Sequence, residues 1–263
     1  MAHPLAADGG LAMINDVYAW LTDGSNWVGG SGDQALTRLY EHLLLTAVSV
    51  VMAIIVGLPL AVWLGHRGRG GTLAVNVSNI GRAIPIVALL ALLSLGLFGS
   101  SVLGPFGRAG LATLVTLALF ALPPIITNTW VGMREVDSDT IEAARGMGMS
   151  EGEVLRRVEL PLALPIIFSG IRLAFVQVWA TATIAALVAG PGLGRIITHG
   201  YDADDPAEII AGALIVAVIA LMLEVGLAGV QRLLDPVGRA RRDTAKRDTR
   251  RGSDNRLPVG PTP

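Results

Sequence analysis

The chain reads as apolar blocks separated by short polar connectors. The blocks run from about Leu39 to Leu64, Thr72 to Phe98, Leu111 to Met133, Leu160 to Ala189 and Ala207 to Leu234. Hydrophobic residues fill them on every side and do not form one stripe. That is the pattern of a helix surrounded by lipid. Each block is long enough to cross a hydrocarbon core of about 30 Å at about 1.5 Å per residue. Five spanning helices are expected, with an all-α membrane fold. Ahead of them, in residues 1–37, Leu11, Ile14, Tyr18 and Leu21 fall at helical spacing with Trp20 and Trp27 nearby. This predicts either a short extracytoplasmic amphipathic helix at the membrane interface or a loosely ordered tail. The opening residues lack the basic and then apolar order of a signal peptide.

Charge orients these spans. The connectors after the first and third blocks carry Arg67 and Arg69, then Arg134, Arg145, Arg156 and Arg157, and the tail after the fifth carries Arg239, Arg241, Arg242, Lys246, Arg247, Arg250 and Arg251. The opposite side holds Arg38, Arg108 and Arg195 with Asp202, Asp204 and Asp205. An excess of Arg and Lys marks the cytoplasmic side. Five spans therefore predict an outside amino terminus and a cytoplasmic carboxyl terminus. An even number of spans would mix the two charge sets. Residues 236–263 read as a disordered cytoplasmic tail, with attraction to anionic membrane lipid as a second possibility.

Composition agrees and excludes other classes. Of 263 residues, 52% are hydrophobic and 16% charged, below the roughly 25% of soluble domains. The net charge of -1, with no dominant basic face, argues against nucleic-acid partners. The absence of cysteine removes disulfides, thiolate metal sites and cysteine nucleophiles. The histidines, His3, His42, His66 and His199, are scattered and form no metal-binding pair. No Walker-type Gly-x-x-x-x-Gly-Lys-Ser/Thr sequence is present, so no ATP site is expected in the chain.

The connector 134–160 is too polar to insert but has strong helix punctuation. Asp139 and Glu142 suggest a capping pair, Ser150 and Glu153 a capping box, and Pro161 a stop. Gly146 and Gly148 separate two segments, so the expectation is helix, glycine turn, helix, re-entry. Within it stands Glu142-Ala143-Ala144, three residues, Gly148, nine residues, and then Val158-Glu159-Leu160-Pro161. Small Ala143 and Ala144 suit docking in a groove, Glu142 suits a helix start, and Gly148 suits a turn with positive φ.

This spaced pattern resembles the EAA signature of ABC importer permeases, with Val158 where isoleucine is usual. The resemblance implies a five-helix type I ABC importer core (MetI-like) over residues 38–235, with a cytoplasmic coupling-helix pair. It also implies two ATP-binding partner subunits that hold ATP and Mg, a second permease copy or paralogue, and an extracytoplasmic solute-binding protein. The setting would be the bacterial cytoplasmic membrane. Glu41-His42-Leu43, Gly57-Leu58-Pro59-Leu60, Asn79 to Pro85, residues 122–129, Ser169-Gly170-Ile171-Arg172 and Gly190-Pro191-Gly192-Leu193-Gly194 resemble glycine betaine/carnitine/choline/proline permeases. That implies a small compatible solute as cargo. Asn79, Pro85, Asn128, Arg172 and Gln177 are candidates for a translocation path, since polar groups inside a membrane turn away from lipid. Packing alone is the other reading for each. An ABC permease for methionine or another amino acid is the near alternative. An intramembrane enzyme and an ATP-independent transporter are alternatives of other classes.

Overall fold

The computed structural model describes residues 5–28, 34–68, 70–71, 75–76, 81, 83–96, 98, 103–107 and 109–233. Every regular element among them is helical. The order is α1 (Leu5–Thr22), α2 (Ala35–Arg67), α3 (Ile86–Leu95), α4 (Gly110–Arg134), α5 (Ser138–Gly146), α6 (Glu151–Val188), α7 (Gly194–Asp202) and α8 (Pro206–Leu233). Of these, α2, α4, α6 and α8 are long and apolar enough to cross a membrane. They correspond to the first, third, fourth and fifth apolar blocks. The second block is represented by α3, ten residues long, and much of its remainder lies outside the described residues. The tail 236–263 also lies outside them.

Contacts at the helix ends fix the topology. Gly65 near the end of α2 sits so close to α4 that a Cβ there would lie 2.5 Å from Met133 Cβ. At the other end, Leu45 of α2 shares a core cluster with Leu114 and Leu117 of α4. The two helices therefore run parallel. Helix α3 lies in the segment that joins them. The start of α6 meets the end of α2, and Gln231 near the end of α8 donates to the Pro165 carbonyl at 3.1 Å. One face of the bundle thus gathers Arg67, Arg134, Arg145, Arg156, Arg157 and Arg232, while Arg38, Arg195, Asp202, Asp204 and Asp205 lie at the other.

Helix α4 is the centre: 67% of its apolar window is buried against 17% for the peripheral α8. Close packing depends on small residues, because lipid leaves little hydrophobic drive between helices. Ala53, Ala121, Ala174, Ala182 and Ala185 form the cluster with Leu45, Ile125 and Val178. A Cβ at Gly170 would lie 2.6 Å from Asn128 Cβ and 2.8 Å from the Pro124 carbonyl oxygen, so α6 crosses α4 there without a side chain. Of the other small residues on α6, Ala180 is exposed and Ala186 half-buried.

The opposite face is closed by one buried network. His42, fully buried in the second turn of α2, accepts from the Leu193 N–H through Nδ1 at 3.2 Å. An N–H only donates, so the ring proton lies on Nε2, which donates to the Trp179 carbonyl at 2.9 Å. The Trp179 ring meets the imidazole edge to face at 4.4 Å. Glu41 Oε2 accepts from the Gly192 N–H at 3.0 Å and from Arg38 at 2.8 Å. Four interactions thus bind the start of α2 to residues 190–194 and α6. Beside this network α1 packs Trp20 and Leu21 on the α7–α8 cluster, while Leu11, Ile14 and Tyr18 stay at least 63% exposed on its outer side.

Candidate functional site

The polar connector after α4 folds into a rigid elbow. Its first helix is capped by Asp137, whose carboxylate accepts from the Asp139 N–H at 2.9 Å. The expected pair of Asp139 and Glu142 is therefore corrected: Asp139 lies in the first turn and Glu142 lies further along an exposed face. Asp137 wins because an Asx side chain just before the helix reaches the N–H two residues on.

The chain then turns sharply. Gly148 has φ +83°, and the Gly148 and Met149 N–H groups bond the Arg145 and Ala144 carbonyls at 2.9 and 3.2 Å. This is a Schellman end, which favours glycine at the left-handed position. Ser150 next starts α6 with the expected capping box, its N–H donating to Glu153 at 3.0 Å. Across the turn, Arg145 grips Glu151 by two bonds, Nε to Oε1 at 2.9 Å and Nη2 to Oε2 at 3.0 Å. The bond to Glu151 raises the guanidinium pKa above its usual value.

Pro161 does not stop this second helix. Residues Leu155–Glu159 form a π turn, in which the Leu160 N–H bonds the Leu155 carbonyl, and the α-helix resumes from Leu160. Pro161 has no N–H to bond the preceding turn, so one hydrogen bond is lost inside the continuous helix. The wider π turn relieves the clash between the proline ring and the preceding turn. The helix that carries the fourth apolar block therefore begins before that block. It runs 38 residues from Glu151 to Val188, ending in a 3-10 stretch, Thr183–Val188.

The motif residues divide by direction. Ala144 is buried within the chain at 2% exposure, whereas Ala143 and Glu142 are exposed. Small size at 144 thus serves the elbow's own packing. Leu160 packs beside the cluster of Met133, Ala163 and Ile167, joining the elbow to α4, and Leu58 and Val62 of α2 border the same cluster. Val158 is half-buried and Pro161 exposed. Sequence reasoning missed Met147, which stands at the tip of the turn 72% exposed. Its position beside Gly148 was the available signal. It also missed Glu159, only 4% exposed, and His66, whose Nδ1 lies 2.6 Å from Glu159 Oε2. A cavity of about 450 Å³ opens beside them, lined by Arg67, Arg134, Glu142 and Arg145 among others.

The described candidate path residues, Pro85, Asn128, Arg172 and Gln177, lie on or at the ends of α3, α4 and α6. Asn128 donates to the Pro124 carbonyl of its own helix at 2.8 Å, next to Gly170. Arg172 sits two positions beyond Gly170, about 200° around the helix. It pairs with Glu224 of α8 at 3.7 Å. Pro85 caps the start of α3, Gln177 is half-buried on α6, and Asn79 lies outside the described residues. Among the described residues no cluster of His, Cys, Asp and Glu is arranged to hold a metal.

Comparison with known proteins adds four findings. The chain is 37% identical over 215 residues to the carnitine transport permease protein OpuCD of Listeria monocytogenes, covering 81% of this chain and 92% of that one. It is 33% identical over 213 residues to the choline transport system permease protein OpuBB of Bacillus subtilis, covering 80% and 93%. Its fold is similar to the inward-facing MetNI methionine ABC transporter, with a TM-score of 0.63 at 22% identity, over 76% of this chain and 95% of that one. Residues 49–237 match the family described as binding-protein-dependent transport system inner membrane component. With the helical core, the all-round apolar spans and the spaced Glu142-to-Pro161 elbow, this establishes that the chain belongs to that family, as a type I ABC importer permease and not itself an enzyme.

Proposed function

We propose that the chain carries a small compatible solute of the glycine betaine, choline, carnitine or proline type inward, driven by two separate ATP-binding subunits. The arginine-rich face is cytoplasmic, which puts the amino terminus outside. Each ATPase holds its own ATP and Mg and docks on the elbow at residues 142–161. A second permease, identical or similar, completes the passage. A solute-binding protein docks outside, near Phe106 and residues 190–206. The relatives named for carnitine and choline support the cargo class.

One observation carries the mechanical reading. The exposed tip at Met147 is fastened by a Schellman end, a capping box and the Arg145–Glu151 pair to a helix that runs from Glu151 to Val188 and is long and apolar enough to cross a membrane. At about 1.5 Å per residue that helix is a lever of about 57 Å. Force at the tip becomes movement at the far loop, residues 190–194. ATP binding by the partners shifts an equilibrium between inward- and outward-open states, in proportion to its preference for one of them.

The test is labelled-solute uptake in a strain deleted for this gene, with and without the plasmid-borne gene, comparing betaine, choline, carnitine, proline and methionine. Restored uptake of a quaternary ammonium solute or proline supports the cargo. Restoration of methionine uptake alone refutes it.

A further inference from the structure

The elbow is fastened to α2 as well as to its own span. His66 lies in the last turn of α2, where a helix end favours positive character. Both ring nitrogens face carboxylates of α6: Nδ1 is 2.6 Å from Glu159 Oε2, and Nε2 is 3.7 Å from Glu151 Oε2. Glu151 in turn holds Arg145 of α5. A chain of polar groups therefore runs from the elbow's first helix, through the start of α6, to the end of the first span. Arg67, Arg134 and Glu142 line the cavity beside it.

Glu159 occupies a particular place in this chain. It is the last residue of the π turn, the point inside α6 where the hydrogen-bond register departs from α-helical. Such a turn is where a long helix bends, and π turns recur at functional positions. An unpinned π turn would let the elbow swing while the membrane part stayed still. The Glu159 side chain is 5% exposed, so its carboxylate needs a donor, and His66 supplies one. The apolar contacts of Leu58 and Val62 in the same region are not directional and set no register.

We propose that His66 is a positioning residue for energy coupling: its bond to Glu159 pins the π turn to α2, so that the first span and α6 move with the elbow as one body. This rests on the ATP-driven reading above. The partner motor would then act on two spans per permease through one contact.

The experiment uses the complete transporter, with ATPase and binding protein, reconstituted in lipid vesicles. ATP hydrolysed and solute imported are counted on the same preparation. His66→Ala is expected to retain the ATPase through purification and to hydrolyse ATP within about twofold of the parent, and Glu159→Ala is compared with it by the same ratio of import to hydrolysis. Solute imported per ATP should fall at least about fivefold, the lower end of a typical coupling between sites. The double variant should be no worse than either single one, because both remove the same bond. His66→Gln, which keeps a donor, should recover most of the ratio. Should a singly truncated variant fail to accumulate, His66→Leu with Glu159→Leu replaces the pair by apolar groups of similar size, an exchange often tolerated. That variant should fold and hydrolyse ATP yet import poorly. An unchanged import ratio in His66→Ala or in the double leucine variant overturns the proposal. So does additivity of the two alanine variants without recovery by glutamine, which marks a packing role only. A parent transporter that neither retains the ATPase nor imports solute instead overturns the ATP-driven reading itself.

Discussion

Replacing His42 by alanine tests how the outer end of the bundle is held. The imidazole is fully buried and satisfies two backbone groups at once, the Leu193 N–H and the Trp179 carbonyl. Truncation leaves the Leu193 N–H without its partner in a site closed to water, a loss of about 1–3 kcal/mol. The edge-to-face contact with Trp179 adds about 0.5–1.5 kcal/mol. The vacated ring also leaves a cavity, since α2 is held by its parallel packing on α4 and collapses only partly. The sum is about 3–5 kcal/mol. For a chain of this size that lowers the unfolding midpoint by roughly 10 °C. The measurement is unfolding of the purified permease in mixed micelles by titration with a denaturing detergent, followed by tryptophan fluorescence and repeated as a thermal scan. His42→Asn, which can still accept from Leu193, should recover part of the loss. A His42→Ala protein within about 0.5 kcal/mol of the parent would refute the assignment, placing the loop 190–194 under some other restraint.

Gly148→Val puts a β-branched residue at φ +83° and costs about 1–3 kcal/mol locally; ATP-dependent uptake should fall at least tenfold while immunoblots of the membrane fraction show normal insertion. Gly170→Val forces α6 away from the Pro124 carbonyl and Asn128, and is expected to lower stability in mixed micelles by about 1–3 kcal/mol. Glu224→Gln leaves Arg172 without its ion pair within the membrane region, so the unfolding midpoint should drop, and adding Arg172→Met should restore it. No restoration in that double variant would show that Arg172 has a second partner of greater weight.

Much of the architecture was legible from the order of residues alone. Lipid imposes a one-dimensional rule: a helix must be apolar all round for about twenty residues, so spans can be read from runs without knowing what they touch. The observed Gly110–Arg134 and Pro206–Leu233 differ from expectation by one residue at each end. Capping chemistry is likewise local, and Ser150 with Glu153 behaved as their spacing implied. The elbow was recognisable for the same reason, since its glycine turn and caps lie within a few residues of each other.

Contacts between distant parts of the chain were decided only by the fold. Pro161 reads as a helix stop, yet a π turn before it carries the helix through, because continuity with the partly buried Leu160 and the buried Ala163 outweighs one lost hydrogen bond. By spacing, His42 and His66 are scattered and form no pair. Tertiary packing brings the first to residues 179 and 193 and the second to residue 159. A run of apolar letters states that a helix will enter the membrane. Which of its polar residues find one another depends on helix rotation and crossing, and those are set by close contacts such as Gly65 on Met133 and Gly170 on Asn128.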